Sequence, residues 1–104
     1  MADIVVLVTA PSEDEAAKIG RALVDERLAA CANIVTGVRS IYRWEGKVED
    51  EPEALMVIKT REELFDSLES RVRELHPYSV PEVIAIPIVK GSQAYLKWLH
   101  EETR

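Results

Sequence analysis

The chain reads as a series of blocks whose hydrophobic spacing changes from one to the next. Residues 3–9 (DIVVLVT) are β-branched and apolar, the pattern of a buried strand. PSEDE follows, with Ser12 placed to cap a helix and Glu15 three residues on. Ile19, Leu23 and Val24 then recur at helical spacing to about Arg27. Residues 31–44 alternate. Ala32, Ile34, Thr36, Val38, Tyr42 and Trp44 are expected on one face, interrupted by Ser40, with Asn33, Arg39 and Arg43 on the other. Glu45, Gly46 and Lys47 reverse the chain into a second long strand that ends in ALMVIKT (54–60). Thr60 with Glu63 predicts another capped helix, whose stripe is Leu64, Leu68, Val72 and Leu75. Residues 82–89 form a fourth strand, and Ser92 opens a last helix carrying Tyr95, Leu96, Trp98 and Leu99.

The order β-α-β-β-α-β-α defines an α+β fold. Its first six elements match the ferredoxin-like split βαβ arrangement with an antiparallel sheet. Right-handed crossovers give the spatial strand order 4-1-3-2. Pro87 cannot donate to a strand ladder and so belongs on an edge, which is where this order puts the fourth strand. The two middle strands far exceed the usual ~5–6 residues. A strand of about 13 residues spans roughly 43 Å, whereas a domain of this size has a radius of gyration near ~13 Å. The hairpin must project, bend back or pack on a neighbour. Because it carries Tyr42 and Trp44, association of copies through the hairpin is expected.

Composition narrows the partners. The 104 residues suit one domain, 1–104, with 47% hydrophobic and 31% charged residues. A net charge of −6 leaves no basic face for nucleic acid or an anionic membrane, and is compatible with cations. The apolar run near the N-terminus is too short for a signal peptide or a span. A single cysteine makes the cytoplasm the default location.

The candidate chemistry is sparse. No P-loop, GxGxxG, HExxH or CxxC is present, so no organic cofactor and no usual zinc site is expected. HPYSVPE (76–82) packs a histidine, a tyrosine and two prolines into a connector. His76 there could ligate a cation through one imidazole nitrogen, or satisfy carbonyls at a helix end. Cys31 is either a soft metal ligand or a small buried apolar residue. His100 is expected in solvent. YRWEGK (42–47) offers aromatic walls and Lys47 to an anionic ligand, or packs as a cross-strand aromatic cluster. Lys59 is a pocket cation or the partner of a carboxylate. No nucleophile–base pair stands out, so no enzymatic activity is expected.

TAPSEDEA (9–16), LVDERLAACANIV (23–35), SIYRWEGKVE (40–49), HPYSVPEVIAIPI (76–88) and YLKWL (95–99) together resemble the CutA family of divalent-cation tolerance proteins over nearly the whole chain. The resemblance implies a compact homotrimer of ferredoxin-like subunits, similar in architecture to the PII signalling proteins. It also implies a non-enzymatic role in tolerance of copper and other divalent cations. Some relatives pair a cysteine at the position of Val8 and a histidine at that of Leu75 with the histidine matching His76 in a copper site; here only His76 is present. Copies in a trimer could combine His76, Cys31 and Glu82 around Cu(II) or another divalent cation. Tyr42, Trp44, Lys47, Lys59, Tyr78, Tyr95 and Trp98 are expected along intersubunit clefts. These would serve a small anion or a protein partner if the protein were instead a PII-like signalling trimer.

Only two side-chain amides, Asn33 and Gln93, accompany the high charge, which suits heat adaptation. A thermal midpoint above the mesophile range of ~45–65 °C is expected, and a scan that falls inside that range would contradict it.

Overall fold

The computed structural model describes residues 2–104. Four strands and three helices alternate as β1 (Asp3–Ala10), α1 (Glu13–Asp25), β2 (Cys31–Trp44), β3 (Lys47–Arg61), α2 (Phe65–Leu75), β4 (Ile84–Pro87) and α3 (Gln93–Glu101). The sheet is antiparallel in the order β2-β3-β1-β4, as expected, with β4 on the edge. β4 is shorter than the apolar run suggests and stops at Pro87, which lacks an N–H only on the open edge, since the Ile88 N–H still donates to the Asp3 carbonyl at 2.9 Å.

Even-numbered residues of β1 and β3 face the helices. Ile4, Val6, Val8, Ala54, Met56 and Ile58 pack there against Ile19 and Leu23 of α1 and Leu68 and Val72 of α2. Each large apolar side chain sealed in this layer contributes about 1.5–3 kcal/mol. Ser12 caps α1 by accepting from the Glu15 N–H at 3.1 Å. The helix ends in a Schellman motif, with Arg27 in the left-handed region at φ 62° and the Leu28 N–H bonded to the Leu23 carbonyl at 2.9 Å.

Thr60 does not cap α2. Its hydroxyl is buried and donates to the Leu28 carbonyl at 2.7 Å, tying β3 to the chain that leaves α1. A 3-10 turn, Glu62–Leu64, leads into α2 instead, because Thr60 is still paired in the sheet opposite Ile4.

The main departure from the sequence pattern lies in the hairpin. Near the core, β2 and β3 pair in one register, Cys31 opposite Lys59 through Val35 opposite Leu55. At the tip, Glu45 (φ 49°) and Gly46 (φ 79°) make a two-residue turn of the type that matches strand twist. That turn sets Trp44 opposite Lys47 and Tyr42 opposite Glu49, one residue out of step with the core register. The mismatch is absorbed between Val35 and Val38 by a bulge, with Gly37 at φ 77°. Beyond the bulge the faces exchange. Tyr42, Trp44 and Val38 therefore lie opposite Glu49, Lys47 and Glu53, on the face away from Ala32 and Ile34. Arg39 is turned to the helix side, opposite Pro52, and no longer shares a face with Asn33.

The hairpin projects, giving the chain extents of 44 × 25 × 21 Å and a radius of gyration of 14.0 Å. Ile41 and Val48 near its tip are 64% and 63% exposed. α3 crosses one end of the sheet face that α1 and α2 leave open. His100 is not free in solvent there: its Nε2 sits 2.6 Å from Asp3 Oδ1, while Arg61 Nε donates to Thr103 Oγ1 at 2.8 Å. The rest of that face is apolar, with Val5, Leu7 and Val57 half-buried and Val35, Ile84 and Ile86 exposed.

Candidate functional site

HPYSVPE leaves α2 at His76, whose backbone turns extended while its N–H still bonds the Val72 carbonyl at 2.8 Å. The imidazole folds back into the protein and is 7% exposed. Nε2 lies 2.7 Å from the Thr9 carbonyl and Nδ1 lies 3.1 Å from the Tyr78 N–H. A carbonyl only accepts and a backbone N–H only donates, so Nε2 carries the proton and Nδ1 is the acceptor. Both nitrogens are thus occupied within the chain. A cation at His76 must displace one of these bonds.

The ring also stacks on Tyr78, with centroids 4.7 Å apart and tilted by 50°. Tyr78 in turn donates its hydroxyl to Glu53 Oε2 at 2.8 Å. Burial, then the bond to Glu53, pushes the Tyr78 phenol far up, so it stays a donor at any physiological pH. The series Thr9, His76, Tyr78, Glu53 therefore pins the turn to β1 on one side and to the root of the hairpin on the other.

Between the hairpin and this turn lies a cavity of about 690 Å³, lined by Thr9, Tyr42, Trp44, Glu53, Tyr78 and Glu82, among others. It exists because of the bulge, which brings Tyr42 and Trp44 to the face where Glu49, Glu51 and Glu53 also lie. Burial, then Glu53, Glu49 and Glu51 in that order, pushes the Tyr42 hydroxyl up. Arg39 goes the other way and forms a two-pronged pair with Asp50, at 2.8 and 2.6 Å, on the opposite face, whereas Arg43 is among the residues lining the cavity.

Four of the residues singled out in the sequence, Tyr42, Trp44, Tyr78 and Glu82, meet here. Glu53 was not anticipated. It sits in the acidic run EDEPE (49–53), which reads as a solvated face, yet it is buried and accepts from the Tyr78 hydroxyl of the returning turn. The remaining candidates lie elsewhere. Lys47 is exposed at the hairpin tip. Lys59 bonds the Asn33 side-chain oxygen, an amide where a carboxylate was the expected partner. Cys31 is opposite Lys59, and Tyr95 stands beside it; burial, then Cys31, pushes the Tyr95 hydroxyl up. Tyr95 and Trp98 have ring centroids 5.4 Å apart on α3. This second group occupies the end of the sheet that α3 covers, away from His76. Among the described residues, no three His, Cys, Asp or Glu side chains converge as a metal site.

A ferredoxin-like α+β subunit with a projecting hairpin and an acidic aromatic cleft at its root is the class these features define. The family model described as "CutA1 divalent ion tolerance protein" matches residues 4–102, and the chain belongs to that family. The divalent-cation tolerance protein CutA of Thermus thermophilus is 54% identical over 99 residues, covering 95% of this chain and 96% of that one. The chloroplastic protein CutA of Arabidopsis thaliana is 50% identical over 97% of this chain, which spans just over half (56%) of that relative's length. The crystal structure of CutA1 from Oryza sativa superposes with a TM-score of 0.97 at 48% identity, covering 100% of this chain and 95% of that one.

Replacing Tyr78 with Phe leaves the Glu53 carboxylate buried without its donor. Denaturant unfolding should report a loss of about 1–3 kcal/mol, and a smaller loss for Glu53→Gln, which keeps an acceptor. Unchanged stability in Tyr78→Phe would show that the bond does not hold the turn.

Proposed function

We propose that this chain is a non-enzymatic, homotrimeric protein of divalent-cation tolerance that binds divalent cations, Cu(II) among them, weakly. Membership of the tolerance family across nearly the whole chain carries this reading. The trimer is supported by the apolar sheet face around Val35, Ile84 and Ile86 and by the projecting hairpin with its exposed Ile41 and Val48. Weak binding is supported by the ligand set. The bonds of His76 to Thr9 and Tyr78 leave no free imidazole nitrogen, and Glu82, Glu53 and Cys31 do not converge with it in one chain. The metal would be met by carboxylate oxygen in the cleft, above all Glu82, with ligands from neighbouring copies completing the shell. Carboxylates alone discriminate poorly for copper, which thiolate and imidazole favour.

A PII-like trimer that binds a partner in its clefts is a second reading, supported by the cavity volume, which is within the ~300–1,000 Å³ usual for small-ligand sites. Glu53 and Glu82 in the lining weigh against an anion as its occupant, and Arg43 is the one basic residue beside them. A cytoplasmic location rests on the single cysteine, although one relative is chloroplastic.

Light scattering followed by calorimetric titration with Cu(II) tests the proposal. The expected result is a particle of three chains that binds copper saturably and reversibly by EDTA, with affinity reduced in Glu82→Gln. A monomer, or heat no greater than an EDTA-treated blank, would contradict it.

A further inference from the structure

The cavity at the hairpin root is lined by two opposite charges that the chain leaves uncompensated. Arg43 reaches it from the ribbon and Glu82 from the turn after α2. Neither has an ion-pair partner among the described residues, and they do not pair with each other. The charges around them are differently placed. Arg39 is held by Asp50 on the other face of the ribbon, and Glu53 already accepts the Tyr78 hydroxyl at 2.8 Å. Lys47 stands opposite Trp44 at the tip and is not part of the lining. Tyr42 and Trp44 add exposed ring surface to the same cavity, whose volume of about 690 Å³ suits a small organic molecule. A simple anion would meet Arg43 but be opposed by Glu82 and Glu53. A simple cation would meet Glu82 but leave Arg43 unpaired. The lining is matched by an occupant with one group of each sign and a flat apolar body.

We infer that this cavity binds a free aromatic amino acid, with its carboxylate on Arg43, its ammonium on Glu82 and its ring against Tyr42 and Trp44. The forked N–H donors of a guanidinium match a carboxylate with two parallel bonds. The ammonium finds in Glu82 a carboxylate that no group of the chain occupies. Ring packing on Tyr42 and Trp44 supplies apolar contact that a small aliphatic zwitterion lacks. The inference rests on the reading of this cleft as a ligand site and names the class of ligand; it does not depend on metal binding.

Calorimetric titration of the full-length, assembled protein with L-tryptophan tests it, in buffer containing EDTA so that no chelated metal contributes. Saturable binding is expected. Tryptamine, which lacks the carboxylate, and N-acetyl-L-tryptophan, which lacks the ammonium, should each bind about tenfold more weakly, the loss of one charge-assisted contact. Arg43→Gln should weaken L-tryptophan but not tryptamine, and Glu82→Gln should weaken L-tryptophan but not N-acetyl-L-tryptophan. Both side chains are exposed and outside any ion pair, so these variants keep the fold. Absence of saturable heat with all three compounds overturns the inference and removes the support for a small-ligand cleft. Equal binding of L-tryptophan and either analogue, weakened in each case by Trp44→Ala, overturns the zwitterion while leaving the cleft a ligand site. Binding of L-tryptophan that neither Arg43→Gln nor Glu82→Gln weakens overturns the placement and the inference with it.

Discussion

Two registers compete in one hairpin, and their reconciliation determines what the protein can do. The core fixes the inner half of β2 against β3, because a slip of one residue would turn Met56 and Ile58 out of the helix-facing layer. The Glu45-Gly46 turn fixes the outer half, because a two-residue connection admits only one pairing of its flanking residues. The two demands differ by one residue. Gly37, at a positive φ that side chains other than glycine adopt at a cost, takes up the difference. Without that bulge the aromatic residues of the ribbon would face the helix side and the basic ones would face the turn.

The reversal gives the ribbon two chemically distinct faces. One carries the Arg39–Asp50 pair, an exposed ion pair that contributes little to stability. The other carries the carboxylate row and the aromatic rings, and it meets the turn that follows α2. That turn is rigid for identifiable reasons. His76 is fixed in a single tautomer by a donor and an acceptor of the backbone, and Tyr78 carries the linkage on to Glu53. The histidine that the sequence offers as a metal ligand is in this structure the piece that positions the cleft.

Much of the fold was legible in the chain. The period of the apolar residues gave the element order, and Pro87 with the crossover rule placed β4 at the edge of the right strand order. Local chemistry was read correctly at Ser12 and Ser92, where side chain and helix are adjacent in sequence. It was misread at Thr60, whose hydroxyl finds a carbonyl 32 residues away, and at His100, which meets Asp3 across the domain. Both partners are set by tertiary packing, which no local spacing encodes. The face exchange in β2 was missed for a different reason. Alternation in Val38, Tyr42 and Trp44 is equally regular on either face, and the only local sign of a bulge was a lone glycine within a strand pattern. The cleft inherited that error: its aromatic residues were recognised, while the buried Glu53 beside them was hidden in an acidic run.

Interstrand Hα–Hα nuclear Overhauser contacts along the hairpin test this account most directly. The account predicts that Arg43 contacts Val48 and that Arg39 contacts Pro52, the closely spaced non-hydrogen-bonded pairs of the outer register, with Ala32 to Ile58 and Ile34 to Met56 on the core side of Gly37. Contacts from Tyr42 to Val48 and from Val38 to Pro52 would mean an unbroken core register, and with it the loss of the acidic aromatic cleft.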